Sequence, residues 1–282
     1  MHIVCFIKQV PDTAEVKIDP ETNTLIRSGV ESIANPFDVV AVEEAVRLRE
    51  QYGGKISAFS MGPPQAESVL REALSLGVDE AVLLSDRSFA GADTLATSYT
   101  LARTIEKLSE KEPVDLVLCG KQAIDGDTAQ TGPGIATRLG YTQLTYVVDI
   151  QWIDRDARKL QVKRKIEGGF EIVRGRLPAV VTVELELARP RRAALPQLIR
   201  SLRADIPIWN ARAIQADPVN LGLKGSPTWV KKIFSPPARE GGPKFDAQSD
   251  LQDAVKKSLD VLLSDNAYAA QLLSRWERHA QE

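Results

Sequence analysis

The sequence predicts an α/β fold, with an open, mostly parallel sheet, helices on both faces, antiparallel strands extending it, and a C-terminal arm and helices. Three observations carry that expectation. Between residues 3 and 120, short apolar runs alternate with stretches of helical period, the pattern of strands crossing over through helices to parallel neighbours. Runs such as Leu116 to Cys119 are apolar at every position, as strands covered on both faces must be. After Tyr141 the helical stretches stop and strand-like segments follow one another, the middle pair joined at Gly168-Gly169.

Ile3 to Ile7 is the first strand, and Lys8 to Thr13 reads as a loop limited by Pro11. Val16 to Asp19 and Thr24 to Arg27 flank a Pro-Glu-Thr-Asn turn, as in a small hairpin. Asn35-Pro-Phe-Asp38 opens a helix that buries Val39, Val42, Ala45 and Val46 on one side. Lys55 to Ser60 is the next strand, Pro63-Pro64 starts a helix carrying Ala66, Leu70, Ala73 and Leu74 inward, and Gly77 ends it. Ala81 to Leu84 is a strand, and Asp93 or a neighbour caps a helix with Leu101, Ile105 and Leu108 on one face. Loops at Lys8–Thr13, Ser60–Pro64, Ser85–Thr94 and Gly120–Thr131 then share the carboxyl edge of the parallel strands, where such sheets bind ligands. Thr145 to Trp152, Lys159 to Glu167, Phe170 to Arg174 and Ala179 to Glu184 extend the sheet with antiparallel members.

Composition narrows the classes. A chain of 282 residues, 43% hydrophobic and 26% charged, has the balance of a folded domain with a large core. A net charge of −2 supplies no basic field for nucleic acid or an anionic membrane. No apolar run approaches the roughly 18 residues of a membrane span. The opening stretch reads as a strand, too short for a secretory leader, so a cytoplasmic protein is expected. Cys5 and Cys119 alone make neither a disulfide framework nor a metal cluster, and His2 and His279 sit at the chain ends.

The stretch Val114 to Gly134 carries the chemistry. Gly120 turns the chain after a strand, a polar loop holds Lys121, Gln122, Asp125 and Asp127, and Thr128, Gln130 and Thr131 lead into a helix ending near Leu139-Gly140. Strand, glycine-containing loop and helix N-terminus offer unpaired N–H groups and a helix dipole to an anion. This loop is therefore a candidate for the phosphates of an adenine nucleotide. Loops of Gly, Asp and Thr also simply turn the chain and cap a helix. Neither the Gly-x-Gly-x-x-Gly of dinucleotide folds nor the Gly-Lys-Ser/Thr of Walker loops is present. Lys121 could steer a phosphate or stand solvated, and Asp125 and Asp127 would oppose an anion unless turned to ribose hydroxyls, a metal or the helix start.

Four blocks resemble one family. Asn35-Pro-Phe-Asp38 with Val42 to Leu48, Gly120 to Gln130, Lys163 to Gly169, and Leu177 to Thr182 are similar, in order and spacing, to the electron-transfer flavoprotein beta subunit. The resemblance runs from the start to about residue 200 and is weaker beyond Arg203. It implies a heterodimer with an FAD-carrying alpha subunit, relaying electrons from an acyl-CoA or related dehydrogenase toward a quinone reductase, ferredoxin or flavodoxin. It implies an adenine nucleotide held by Phe6, Asn35, Met61 and the loop Gly120, Lys121, Gln122, Ala123, Ile124, Asp125, Gly126, Asp127, Thr128, Ala129, Gln130 and Thr131. One branch of the family holds AMP there; the bifurcating branch holds a second FAD that accepts a hydride from NADH and splits the electron pair. Asp125-Gly-Asp-Thr-Ala-Gln130 stands where the AMP branch has Asp-Asp-Asp-Cys-Asn-Gln, and Ala92 to Ser98 resembles the bacterial bifurcating type. Thr94, Thr97 or Ser98 would then offer hydroxyls to the flavin's polar edge, with Asp93 among the contacts and helix capping as the alternative use of the same residues. The resemblance also brings Thr13, Arg164 and Lys165 toward the alpha-subunit flavin, with a solvated strand as the alternative for the last two. No side chain is assigned a catalytic role, since the flavin carries the chemistry.

The expected organisation is a nucleotide-binding α/β domain over 1–188, a recognition segment and extended arm over 189–245, and C-terminal helices over 246–282 docking on a partner or on the core. In the family a leucine-bearing segment docks on acyl-CoA dehydrogenases, and that match falls on Leu195, among Arg191, Arg192 and Arg200. Leu251, Ala254, Val255, Leu259 and Leu262, then Leu272, Leu273 and Trp276, give the last two helices. The competing classes are an ATP-pyrophosphatase-like enzyme, which needs a Ser-Gly-Gly phosphate loop where Lys8-Gln9-Val10-Pro11 stands, and an adenine-nucleotide sensor without a flavin partner.

Overall fold

The computed structural model describes residues 1–12, 17–18, 25–26, 32–231 and 243–264. Along the chain these form β1 (His2–Phe6), β2 (Gln9–Pro11), β3 (Lys17–Ile18), β4 (Leu25–Ile26), β5 (Ser32–Ala34), α1 (Pro36–Tyr52), β6 (Lys55–Met61), α2 (Glu67–Leu76), β7 (Glu80–Leu84), α3 (Thr94–Ser109), β8 (Leu116–Gly120), α4 (Thr131–Leu139), β9 (Thr142–Asp154), β10 (Lys159–Ile166), β11 (Gly169–Arg176), β12 (Ala179–Val183), α5 (Leu195–Arg203), β13 (Ile208–Trp209) and α6 (Leu251–Ser264). Thr13 and the terminal segment with Leu272, Leu273 and Trp276 lie outside the described residues. Two compact units emerge, Met1–Phe234 and Ser235–Glu282. In the second, α6 starts where Asp250 Oδ1 accepts from the Gln252 and Asp253 amides.

Nine strands of the first unit form one sheet in the order β11-β10-β9-β12-β8-β1-β6-β7-β13. From β9 to β13 every neighbouring pair is parallel, and β9, β10 and β11 pair antiparallel. Strand alternation splits the core between the two faces. Ile3 and Cys5 of β1 join α1 and α2 on one side, while Val4 and Phe6 join α3 and Ile135 of α4 on the other. The expected fold class is thus the one found.

Three local expectations change. The segment Ala179 to Glu184, expected among the antiparallel strands, instead places β12 between β8 and β9, parallel to both. All five of its residues are buried, whereas β9 buries only Leu144, Val147 and Ile153 of its thirteen. A strand apolar on both faces belongs in the sheet interior. The Lys8–Thr13 loop contains β2, which pairs antiparallel with β5 and buries Val10. The chain after Pro207, part of the expected extended arm, adds β13 beside β7 and buries Ile214 and Leu221 in the α3 side of the core. A two-residue strand has no periodicity to detect. The expected hairpin is present where described, with Lys17 opposite Ile26 and Ile18 opposite Leu25.

Candidate functional site: a crevice beyond the carboxyl ends of the central strands

β1 lies between β8 and β6, so the chain leaving each of these strands emerges side by side. α1 begins at Pro36, with proline at a position where its missing N–H costs nothing. Its first turn brings Asp38, 7% exposed, beneath the exits of β1 and β8. Asp38 Oδ2 accepts from the Lys8 amide at 2.9 Å and Oδ1 from the Gly120 amide at 2.9 Å. Burial raises this carboxyl to about 6, against the opposing effect of the donated hydrogen bonds. Gly120 is required by this approach: a Cβ there would stand 2.5 Å from Asp38 Oδ1 and 2.5 Å from Phe37 Cβ.

Asn35, 1% exposed, does not cap α1 with its side chain. It reaches the far side of the loop instead, donating from Nδ2 to the Gln122 carbonyl at 2.9 Å and accepting the Ile124 amide on Oδ1 at 3.3 Å. Lys8 Nζ meets both oxygens of Asp125 at 2.8 Å. Gln122 Nε2 donates to Asp127 Oδ1 at 2.7 Å. The loop after β8 is thereby tied to β1, to α1 and to itself.

What the ties leave free is the run toward α4. Asp127 (φ 49°) and Ala129 (φ 52°) hold positive φ without being glycine, an expensive conformation for alanine in particular. Gln130 follows at φ −105°, ψ −22°. Such a left-then-right succession turns neighbouring N–H groups to one side and makes an anion-receptive concavity. The amides of Thr128, Ala129, Thr131 and Gly132 find no acceptor among the described residues. Gly132 is pressed to the sheet, a Cβ there standing 2.4 Å from Thr182 Cγ2, so the start of α4 is held close under the loop.

The remaining expected positions surround this edge. Phe6 and Met61 belong to the core on the α3 side, Phe6 lying 6.1 Å from Phe59 between ring centroids. Thr94 Oγ1 donates to Gln130 Oε1 at 2.9 Å, joining the start of α3 to the loop. Asp93 caps α3, Oδ1 accepting the Leu95 and Ala96 amides, while Oδ2 accepts from Thr228. Those bonds hold its carboxyl below the usual range against the desolvation that opposes them. Thr97 sits half-buried on α3. Lys121 Nζ pairs with buried Glu184 at 3.1 Å and lies over Phe37, so any contact of Lys121 with an anion competes with that pair. Gly126, Asp127 and Thr128 are exposed. Arg164 pairs with Glu171, and Lys165 pairs with Glu186, whose carboxylate also feels Lys121.

Sequence reasoning missed Asp38, Lys8 and Glu184. An acidic residue in a first helical turn reads as a partner of the helix dipole. The bond that gives Asp38 its place spans 82 positions and has no local signal. The buried thiols Cys5 and Cys119 are pushed up by desolvation, which leaves them inert.

Leu195 opens α5 at 68% exposure, and Leu198, Ile199 and Leu202 on the same helix are also exposed. Arg191 holds the preceding chain on α1, with Nε 2.9 Å from Glu43 Oε2 and Nη1 2.6 Å from Glu50 Oε1. Arg71 of α2 donates to the Ser201, Leu202 and Ala204 carbonyls at the end of α5. No helix among the described residues is long and apolar enough to cross a membrane.

Sheet order, donor-bearing loop and crevice define a doubly wound α/β domain with an anion-receptive edge. The family model described as the electron transfer flavoprotein domain matches residues 22–213. Protein FixA of Azorhizobium caulinodans is 50% identical over 241 residues, covering 85% of this chain and 86% of that protein. The electron transfer flavoprotein subunit beta of Megasphaera elsdenii is 47% identical over 259 residues, 90% of this chain and 95% of its own length. That of Clostridium acetobutylicum is 49% identical over 246 residues, 87% and 92% respectively. The chain belongs to the electron-transfer flavoprotein family, as a beta subunit.

Proposed function

We propose that this chain grips an adenine nucleotide in the crevice and works as one half of a heterodimer with an electron-transfer flavoprotein alpha subunit. The pair relays electrons from a dehydrogenase to a quinone reductase or another acceptor. The observation that carries the nucleotide is the cluster of unclaimed amides at Thr128, Ala129, Thr131 and Gly132 on a loop already tied down elsewhere. Phosphate oxygens would complete those donors, with the Thr128 and Thr131 hydroxyls beside them. Phe6 and Met61 supply the apolar floor for a ring. Flavin bound to the pair supplies the redox chemistry, and this chain supplies orientation and electrostatics.

FAD, rather than AMP, is the nucleotide favoured in the crevice. Gly126 and Ala129 are small residues on the rim of the loop, where a larger ligand meets little side-chain bulk. NADH is then the donor to that flavin. Nucleotide analysis of the purified heterodimer tests both levels. Two FAD per pair, with bleaching of the flavin spectrum by NADH, is expected; one FAD plus one AMP would leave the carrier role and remove bifurcation. A chain that binds ATP alone and no flavoprotein partner would remove the carrier role as well.

The exposed leucines of α5, rimmed by Arg192, Arg200 and Arg203, form the proposed dehydrogenase contact. Leu195→Ala is expected to slow reduction by the dehydrogenase at least about tenfold, the scale of a buried anchor at an interface. Thermal stability should move by less than about 0.5 kcal/mol, because the side chain is exposed here. Unchanged transfer rates would remove the anchor.

A further inference from the structure

Asp38 does more than fill space beneath the crevice, and its two bonds say what. Each oxygen accepts one main-chain N–H: Oδ2 that of Lys8, leaving β1, and Oδ1 that of Gly120, ending β8. Both donors are amides, so both positions need an acceptor. The ionised carboxylate offers both at full strength. A protonated acid accepts only weakly on its hydroxyl oxygen, and a side-chain amide turns an N–H toward one of the two donors. The two segments so joined are the ones that meet again above, where Lys8 Nζ grips Asp125.

We infer that Asp38 is the positioning residue of the crevice, its carboxylate locking the β1 and β8 exits in register so that the amides from Thr128 to Gly132 are already aimed when a nucleotide arrives. The inference rests on the nucleotide reading above. Preformed donors bind without ordering cost, so loss of the lock appears chiefly as faster nucleotide release. The other groups facing Asp38 are Lys8 from the β1 exit, Asn35 from just before its own helix, and the thiols of Cys5 and Cys119 from β1 and β8. Burial keeps both thiols neutral. Asp125 stands one step further out, on Lys8.

Protonation and folding pull in different directions here. The Asp38 carboxyl is raised to about 6 in the fold, so its contribution to global stability is lost as pH rises through that value and is present in acid. Acid therefore loosens the lock without unfolding the chain through this group. A residue that only supported the fold would not separate the two effects.

The test uses the intact heterodimer loaded with radiolabelled AMP and, separately, FAD, following release into excess unlabelled nucleotide between about pH 8 and pH 5.5, with melting temperature measured in parallel. Release from the native pair should quicken as pH falls through about 6, while the melting temperature does not fall in step. Asp38→Asn should release about tenfold faster or more at pH 8, the effect of losing one hydrogen bond to a charged group, and should lose the acid dependence. Equal release rates for variant and native pair, or a variant that keeps the native acid limb, would overturn the inference. If the variant does not fold, the native profile decides, and release independent of pH across that range would overturn it. A native pair that holds no nucleotide in this crevice would instead overturn the nucleotide reading itself.

Discussion

Glu44 lies buried on α1 with Arg47 Nη1 2.9 Å from its carboxylate, and burial raises its carboxyl to about 7 despite that partner. With the folded value raised above the unfolded one, its stabilising contribution is complete below about pH 4.5 and lost as pH rises through about 7. Glu44→Gln removes that loss. Denaturant melts at pH 8 should show the variant more stable by about 1–2 kcal/mol, with the gain gone near pH 4.5. Gly120→Ala acts the other way. Its methyl group would stand 2.5 Å from Phe37 Cβ, and overpacking there should cost about 2 kcal/mol or more and weaken nucleotide retention together. A neutral Gly120→Ala would mean that the two exits are not in close contact. Gly120 was legible in the sequence, because a glycine ending a buried strand marks a turn. Asp38 was not, because its partners are main-chain atoms of residues far along the chain.

At the scale of elements, α5 is held mostly by others: Arg71 donates to three carbonyls at its C-terminus, and Arg191 fixes the chain before it. Arg71→Gln should therefore raise hydrogen exchange in α5, by about 1–3 kcal/mol of local opening energy, with little change in β1 or β8. Equal protection of α5 in both proteins would show that the guanidinium is dispensable. The helices α2 and α3 were legible from a 3.6-residue apolar stripe, α4 from the glycine that ends it, and α1 from the proline at its start, although α1 is buried nearly all round, Glu43 and Glu44 included. The position of β12 was only half legible. Its Ala179 to Val183 run, apolar but for Thr182, marks a central strand, but which strands flank it depends on the path of the whole chain. β13 left no trace, since two residues cannot display alternation.

For the molecule as a whole, the alternation of strands and helices sets two apolar faces, and the sheet order sets where the exits of β8, β1 and β6 crowd together. The crevice follows from that order. Its loop was legible from the succession of strand, glycine, polar loop and helix start; its rigid framing by Asn35, Asp38 and Lys8 required the fold. The proposed function needs main-chain amides of this loop to hold an adenine nucleotide. Site-resolved hydrogen exchange on the heterodimer, with and without its nucleotide, reads those amides directly. Strong protection of the Thr128, Ala129, Thr131 and Gly132 amides in the loaded pair, lost when the nucleotide is removed, is the expected result; equally fast exchange in both states would mean that these amides hold no nucleotide.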